Sequence, residues 1–299
     1  MKLLIVNNPI SGDVDKTDIV KSARRTANGL GYQVAYFETT GKEDLRRLRE
    51  KIDKEKPDKI AVFGGDGTFS LGAKATMHSG IPLGVVPCGS ANAMARELGV
   101  EGNSDSAFED ILQSRYYADL DLIRINGEHY CLHIADVGIN ADIVADYDRD
   151  EDRGMTAYGK YLLKALSNAE PFPVEVIRPG HTLETECVMI GFSNGRKFGT
   201  GVPINTVGNP FDGKFEIDII SEMSAIHAVK AGLSAISEFF ADGDHRQTLS
   251  VSEATVRFDR PRDLQIDGEA LGKFQEVRLE IERGAIQYVT TAANPYLFQ

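Results

Sequence analysis

The sequence lacks several features that would assign it to a function class at once. Its 33 Lys and Arg residues are outnumbered by 45 Asp and Glu residues, whereas a nucleic-acid-binding protein needs a net basic footprint. No apolar run approaches the roughly 20 residues that span a bilayer. Only three cysteines occur, Cys88, Cys131 and Cys187, without CxxC spacing. We therefore expect no nucleic-acid partner, no transmembrane helix, and reduced cysteines in a cytoplasmic protein.

The composition is otherwise that of an ordinary globular protein. Apolar residues make up 42% and charged residues 26%, which is enough to build a core. The 299 residues fit two domains of about 150 residues each. The short apolar run at residues 3–6 soon turns polar, which is unlike a signal peptide. Acidic residues are unevenly spread: residues 1–119 hold 16 basic and 17 acidic side chains, and residues 120–299 hold 17 and 28.

The first third of the chain alternates short apolar runs with helical patterns. The runs that predict strands lie at residues 3–6, 34–37, 60–63 and 83–86. The segments with helical spacing lie at residues 19–30, 45–52, 69–77 and 91–98. Such alternation is typical of a mostly parallel sheet covered by helices on both faces, and it predicts a doubly wound α/β domain.

The pattern changes after about residue 119, where strand-like runs follow one another directly. These runs lie at residues 116–125, 129–134, 174–177, 183–192, 215–220, 251–258 and 277–281, with helical patterns at 157–167 and 225–240. The pattern predicts a mainly antiparallel β-sandwich. We place an α/β domain at 1–119 and a β-rich domain at 120–284, and expect residues 285–299 to pack back on the first domain.

A glycine-rich loop follows the third predicted strand. Residues 64–68 read Gly-Gly-Asp-Gly-Thr, and glycine lets backbone N–H groups approach a ligand closely. A helix N-terminus directly after the loop favours phosphate, which leaves Asp66 for a metal ion or a substrate hydroxyl. The alternative is a tight turn in which Asp66 only caps the helix. The loop is neither a Walker A motif nor a GxGxxG dinucleotide fingerprint.

Three further polar segments follow the first, second and fourth predicted strands. They contain Asn8, Pro9, Ser11 and Gly12, then Thr39, and then Ser90 in a second glycine-containing turn. Ser90 is either a helix cap or a phosphate ligand. In doubly wound sheets the loops at the carboxyl ends of the strands line one crevice. The sequence therefore predicts that all four loops meet at one edge.

Two acidic turns lie in the second half of the chain. Asp267 and Glu269 flank Gly268 between predicted strands, and two carboxylates this close in a buried site resist joint ionisation, which would let one act as a base. In residues 209–214, Asp212 and nearby carbonyls suit a hard cation such as Mg²⁺. Each turn is alternatively an ordinary hairpin connection.

Residues 191–195 match the G-x-S-x-G nucleophile elbow of hydrolases at Ser193. That elbow requires a helix directly after the serine. Residues 196–203 have the composition of a loop instead, which argues against a hydrolase.

The glycine loops resemble those of a known family. GGDGT at 64–68, followed by PCGSANAMARELG at 87–99, resembles the diacylglycerol kinase catalytic family, which includes bacterial soluble lipid kinases and sphingosine kinases. The first motif is shared with NAD kinases and, more distantly, with phosphofructokinases. The resemblance extends to residues 7–12, 159–166, 193–201, 212–215 and 267–269.

The resemblance implies an ATP-dependent kinase acting on a lipid hydroxyl, with diacylglycerol as the expected lipid. The fold it implies is an NAD kinase-like and phosphofructokinase-like α/β domain, which would make residues 1–119 the nucleotide-binding domain, followed by a β-rich domain, which would make residues 120–284 the lipid-substrate domain. It assigns Glu269 as the proton acceptor, with Asp66 and Asp267 supporting the metal and the hydroxyl.

The resemblance also implies two ligand sets. The ATP contacts would be Asn8, Pro9, Ser11, Gly12, Thr39, Gly64, Gly65, Asp66, Gly67, Thr68 and Ser90. The Mg²⁺ ligands would be the Asp212 side chain and the carbonyls of Asn209 and Lys214.

The sequence departs from the family pattern at several positions. Phe211 stands at the first position of the usual Asp-Asp-Gly, so one carboxylate of the implied metal network is missing. Ser90 replaces the usual Thr, and Ser70 and Leu71 stand where Asn and Glu are common. Two alternatives stay open: an NAD kinase-like enzyme, and a non-catalytic homologue that binds a lipid or nucleotide.

A lipid kinase has to meet a bilayer, so we expect transient peripheral contact with the inner membrane surface. Because the chain is acidic, contact with anionic lipids requires a local basic or apolar face. The sequence leaves open which lipid is used and whether the chain forms a homodimer.

Overall fold

The computed structural model describes residues 1–9, 17–100, 103–138, 169–197, 205–221 and 246–297. The chain divides into a first unit, Met1–Asp121 with Arg283–Gln299, and a second unit, Leu122–Glu282. The predicted helices at 157–167 and 225–240 lie outside the described residues, as do Ser11 and Gly12. Within the described ranges, no helix combines the length and the apolar character needed to cross a membrane.

The first unit is built on a parallel sheet. Its elements are β1 (Lys2–Asn7), α1 (Thr17–Gly29), β2 (Gln33–Glu38), α2 (Asp44–Glu55), β3 (Lys59–Gly64), α3 (Asp66–Thr76), β4 (Leu83–Pro87), α4 (Ala93–Glu97) and α5 (Ser104–Gln113). The strand order is β2-β1-β3-β4, with parallel pairing throughout. The end of β14 (Glu269–Thr290) adds a parallel strand, since Tyr288 pairs with Leu83. The predicted α/β fold class is confirmed.

Helices cover both faces of this sheet. On one face, Leu3, Ile5 and Phe63 share a buried core with residues of α1 and α5. On the other face α3 lies close to β3, because a Cβ at Gly72 would fall only 2.7 Å from the Val62 side chain. Burial on both faces explains why these strands form continuous apolar runs instead of alternating ones.

The structure contains a helix, α5, that the sequence patterns above do not predict. Its start is marked by Asn103, whose side chain accepts a hydrogen bond from Ser106 N. Its buried stripe consists of Ala107, Phe108, Ile111 and Leu112, at helical spacing. The cap and the stripe together are the signals that could have predicted this helix.

The second unit consists of antiparallel strands. They are β5 (Tyr116–Ile125, which begins in the first unit), β6 (His129–Cys131), β7 (Ile134–Val137), β8 (Phe172–Arg178), β9 (His181–Cys187), β10 (Met189–Ser193), β11 (Phe215–Ile220), β12 (Arg246–Val251), β13 (Glu253–Ile266) and most of β14. One run of strands has the order β12-β11-β10-β7-β13. Another run, β13-β8-β9, continues from the opposite half of β13. Both runs enclose one apolar core, and the predicted β-sandwich is confirmed.

Several predicted strands have different bounds in the structure. The run at 183–192 is two strands, β9 and β10, which separate at Val188 and pair with different neighbours. The run at 129–134 likewise divides into β6 and β7. An apolar run indicates that a segment is buried, but it does not indicate which strand each residue pairs with. The positions at which the chain changes its paired strand could therefore not be predicted from the run.

Candidate active site

Four loops of the first unit meet at the carboxyl edge of its parallel sheet. They follow β1, β2, β3 and β4, whose parallel pairing places all four ends at one edge. Backbone hydrogen bonds tie neighbouring strand ends and loops together. These run from Thr39 N to Asn7 O (3.0 Å), from Asn8 N to Phe63 O (3.2 Å) and from Cys88 N to Gly64 O (2.9 Å). The expected convergence of the loops is therefore present in the described residues.

The two glycine-containing loops touch backbone to backbone. A Cβ at Gly89 would lie 2.6 Å from Gly65 Cα and 3.2 Å from Gly65 N. A Cβ at Gly65 would lie 3.3 Å from Gly89 Cα. A Cβ at residue 89 would force the Gly65 backbone to move, and a Cβ at residue 65 would be tightly packed. The contact therefore gives a packing reason for both glycines in addition to any ligand.

Side-chain hydrogen bonds of Asp66 and Asn92 hold the two glycine-containing loops in place. Asp66 Oδ1 accepts a hydrogen bond of 3.0 Å from Met94 N at the start of α4. Asn92 has a left-handed backbone (φ 49°), and its side chain accepts from Gly89 N (2.8 Å) and donates to Gly89 O (2.6 Å). Sequence reasoning did not assign Asn92 a role, although asparagine is the residue that best tolerates this conformation besides glycine.

The N-terminus of α3 opens toward this edge. Gly65 is its N-cap, and the first hydrogen bonds of the helix are those that Thr68 N (3.1 Å) and Phe69 N (3.0 Å) donate to Gly65 O. The N–H groups of Asp66 and Gly67 come before these bonds and have no intrahelical acceptor. Apart from its chain neighbours and the backbone of its own helix, no atom of the described residues lies within 4 Å of the position of a Cβ at Gly67. Asn8 Nδ2 donates to Thr68 Oγ1 at 3.3 Å, which links the first loop to the same turn. This arrangement suits an anion such as phosphate.

The other predicted nucleotide contacts differ in exposure. Pro9 and Ser90 are exposed, while Thr39 is half-buried. Gly64 is buried, and a Cβ there would lie 2.4 Å from Thr68. Close packing against the helix that follows therefore explains why position 64 is a glycine.

The turn at residues 267–269 joins β13 to β14 in the second unit. Asp267 has a left-handed backbone (φ 50°). Its carboxylate accepts hydrogen bonds from four donors, Leu132 N (2.9 Å), His133 N (2.9 Å), Ile134 N (3.3 Å) and Cys131 Sγ (3.4 Å). Glu269 is exposed as the first residue of β14. Asp267 thus anchors the turn, and Glu269 is its accessible carboxylate.

The loop at residues 209–214 offers oxygen atoms for a cation. Asp212 is exposed, and its Oδ1 accepts from Lys214 N at 2.9 Å. Its second carboxylate oxygen has no hydrogen bond from the described residues. One carboxylate with backbone carbonyls is a donor set that fits Mg²⁺, which keeps several waters. In the part of the chain that the structure describes, no three His, Cys, Asp or Glu side chains form a metal cluster.

The loop at 209–214 and Glu269 lie at the same end of the second unit's sheet. The register runs across the sheet from Glu269 through Ile266, Ala135 and Phe192 to Ile217. These are four strand spacings, or roughly 19 Å measured along the sheet. The sheet places both groups at one end without making them neighbours.

Ser193, the serine of the hydrolase-like motif, is buried with 1% exposure. Its hydroxyl donates to Asp218 Oδ2 at 2.7 Å, and Asp218 also accepts from Thr248 Oγ1 (2.7 Å) and Asn205 Nδ2 (3.1 Å). Burial raises the pKa of Asp218. The serine belongs to a closed polar network and cannot meet a substrate, so the elbow pattern carries no hydrolase chemistry here.

Comparison with known proteins accounts for nearly the whole chain. Residues 2–125 match the diacylglycerol kinase catalytic domain, and residues 134–290 match the YegS C-terminal NAD kinase beta sandwich-like domain. A protein of Stenotrophomonas maltophilia (strain K279a) named "Probable lipid kinase YegS-like" is 25% identical over 98% of this chain and 97% of its own length. A "Diacylglycerol kinase" of Mycobacterium tuberculosis is 27% identical over 72% of each chain.

The fold is also found in a solved structure. The crystal structure of a diacylglycerol kinase from Bacillus anthracis str. Sterne superposes with a TM-score of 0.71 over 98% of both chains, at 21% identity. With two domain models matched in order along the sequence, the chain belongs to the YegS and diacylglycerol kinase family of lipid kinases, which are phosphotransferases.

Proposed function

We propose that the protein transfers the γ-phosphate of ATP to the free hydroxyl of diacylglycerol. The observation that carries the proposal is the meeting of four polar loops at the carboxyl edge of the first unit's sheet, with Gly65 packed against Gly89. Family membership supplies the reaction class. The choice of diacylglycerol is supported by the name of the Mycobacterium tuberculosis relative.

In this proposal the nucleotide is held mainly by the backbone. The free N–H groups at the start of α3 and the open space at Gly67 would receive phosphate oxygens. Asn8, Pro9, Ser11, Gly12, Thr39 and Ser90 would supply the remaining contacts from the neighbouring loops. Catalysis by such a site is positional and electrostatic, because phosphoryl transfer needs little covalent chemistry from the protein.

Glu269 would accept the proton of the lipid hydroxyl. As that proton moves to the carboxylate, the hydroxyl oxygen forms a bond to the γ-phosphorus and the bond to the bridging oxygen of ADP breaks. Asp267 would position Glu269, since its carboxylate is engaged by the donors of residues 131–134. An exposed carboxylate on an anchored turn is well suited to meet a substrate that arrives from outside.

We further propose that residues 209–214 hold Mg²⁺ through the Asp212 side chain and the carbonyls of Asn209 and Lys214. When bound, the ion would supply positive charge next to the Asp212 carboxylate of this loop. Asn209 Oδ1 accepts from Phe211 N at 3.1 Å, so Phe211 keeps the loop conformation although it offers no carboxylate. Waters would complete the coordination, and the further carboxylate that the resemblance implies for the metal network is replaced by Phe211 in this chain.

The test is a kinase assay with radiolabelled ATP, Mg²⁺ and mixed micelles. Diacylglycerol, monoacylglycerol, ceramide and sphingosine are offered in parallel, and NAD⁺ is offered in solution. Labelled phosphatidic acid supports the proposal. Labelling of another lipid alone refutes diacylglycerol, labelling of NAD⁺ points to an NAD kinase, and absence of any ATP turnover refutes the proposal as a whole.

We also propose that the protein contacts the inner membrane surface transiently from the cytoplasm. The acidic net charge predicts weak equilibrium binding to vesicles that contain anionic lipid. Sedimentation with vesicles containing diacylglycerol, with and without anionic lipid, measures this contact. Tight binding that persists without diacylglycerol would contradict a transient encounter.

A further inference from the structure

The segment that follows β14 packs against the end of α4 in the first unit. Asn294 organises this segment, because its side chain donates to Thr290 Oγ1 (3.0 Å) and accepts from Tyr296 N (3.0 Å). The approach to α4 is close: a Cβ at Gly99, whose φ is +72°, would lie 2.6 Å from Ala293 O. Residues 291–297 thus pack at a defined position just beyond α4.

A buried polar contact joins this segment to α4. The Tyr296 hydroxyl donates a hydrogen bond to Glu97 Oε1. Tyr296 is 6% exposed and Glu97 is 2% exposed, so both polar groups are out of water. Removing a hydrogen-bond donor from a buried carboxylate is destabilising, so this contact constrains where Glu97 can lie.

The helix α4 needs such a constraint. It has only five residues, and a helix this short is not stable without tertiary contacts. Its first turn is bound to the glycine loops, through Met94 N to Asp66 Oδ1 and through Asn92 to Gly89. Tyr296 holds the opposite end of the helix through Glu97. The helix therefore connects residues 291–297 to both glycine loops.

We propose that Tyr296 and Glu97 are positioning residues for the nucleotide loops. They do not touch the nucleotide. They hold α4 in place, and α4 in turn holds Asp66 and Gly89 in the arrangement that receives ATP. The inference rests on the proposed binding of ATP at these loops, and it extends the nucleotide site to a segment almost two hundred positions away in the sequence.

The test compares Tyr296→Phe with Tyr32→Phe. Tyr32 is also buried in the first unit, and its hydroxyl donates to Leu112 O at 3.0 Å. It lies directly before β2, at the amino edge of the sheet, away from the loops. Each variant removes one buried hydrogen bond and leaves the ring in place. Glu97→Gln, which keeps an acceptor oxygen, and Glu97→Ala, which removes it, form a second matched pair.

We expect both tyrosine variants to lower Tm, but only Tyr296→Phe to affect the nucleotide. The dissociation constant for ATP, measured by calorimetry without lipid, should rise roughly three- to tenfold in Tyr296→Phe, the order expected for one buried hydrogen bond. The KM for ATP should rise alike, with kcat and the KM for lipid within about twofold of wild type. Glu97→Ala should weaken ATP binding more than Glu97→Gln.

Hydrogen exchange gives a readout that does not need ATP. Amides of residues 89–97 should exchange faster in Tyr296→Phe than in Tyr32→Phe at matched temperature below Tm. If ATP affinity and exchange at these residues are the same in both variants, Tyr296 is merely structural and the inference is refuted. If wild-type protein binds no ATP, the proposed nucleotide site fails, and the exchange data alone then decide whether Tyr296 positions the loops.

Discussion

The contact between the two glycine loops predicts opposite effects for two Gly→Ala substitutions. At Gly89 the added methyl would lie 2.6 Å from Gly65 Cα, 3.0 Å from Asn92 Oδ1 and 3.2 Å from Gly65 N. Two of these atoms belong to backbone, so no side chain can rotate away to relieve the contact. At Gly67, by contrast, the described residues other than its chain neighbours and its own helix backbone place nothing within 4 Å of the new methyl.

The magnitude follows from what the two variants share and where they differ. Each gains about 0.4–1 kcal/mol because alanine restricts the unfolded chain. Only Gly89→Ala also meets an overpacking cost of about 1–3 kcal/mol. The shared gain cancels in the comparison, so the variants should differ by about 1–3 kcal/mol in free energy of unfolding. For a domain of this size that is roughly 2–12 °C in Tm.

Thermal and urea denaturation of the two variants beside wild type would measure this difference. Gly89→Ala should be the least stable of the three and Gly67→Ala the most stable. Both should bind ATP more weakly, Gly89→Ala because the loops separate and Gly67→Ala because its methyl occupies the space proposed for phosphate. Equal stability of the two variants would refute the close approach of the loops. Unchanged ATP affinity in the more stable Gly67→Ala would refute the phosphate site.

Three further predictions concern the second unit. Glu269→Gln should lower kcat about 10²–10⁴-fold in the lipid kinase assay. Its Tm should be unchanged, because Glu269 is exposed. Activity within tenfold of wild type would exclude Glu269 as the base. Asp212→Asn should raise the Mg²⁺ concentration for half-maximal activity by about tenfold and reduce the rise in Tm that Mg²⁺ produces, whereas an unchanged Mg²⁺ titration would place the ion elsewhere. Burial raises the pKa of Glu216 from 4.5 to about 7, so its stabilising contribution is complete below about pH 4.5 and is lost as the pH rises to about 7, an effect of roughly 3 kcal/mol. Tm measured from pH 5 to pH 8 should therefore fall less in Glu216→Gln than in wild type, and parallel curves would contradict the buried proton.

Much of the first unit could be predicted from sequence because its strands are buried on both faces. The runs at residues 3–6 and 60–63 stand out as continuous apolar segments, and β1 and β3 include them with one residue added at each end. Parallel strands joined by helices leave little freedom in topology, so the edge at which the loops meet followed from the element order.

The second unit was less predictable in detail. Its class followed from strand-like runs and turns, but β13 changes partner along its length, pairing with β8 through Val256 and with β7 through Leu264. The two paired stretches lie on either side of a register irregularity in the pairing of β13 with β14, between Arg257 and Arg262. No local pattern specifies which distant strand lies beside each half, because both halves are equally apolar toward the core.

The amino-acid sequence is enough to predict the two fold classes and the candidate chemical groups: the glycine loops, Asp66, Asp267, Glu269 and Asp212. Residue types and their order carry that information, since turns, caps and apolar runs act over a few positions. Only the tertiary structure decided how these groups are held. It engages Asp267 with residues 131–134, buries Ser193 against Asp218, and brings Tyr296 to Glu97. Hydrogen bonds between residues far apart in the chain exist only once the backbone has folded, so no local sequence signal could have predicted them.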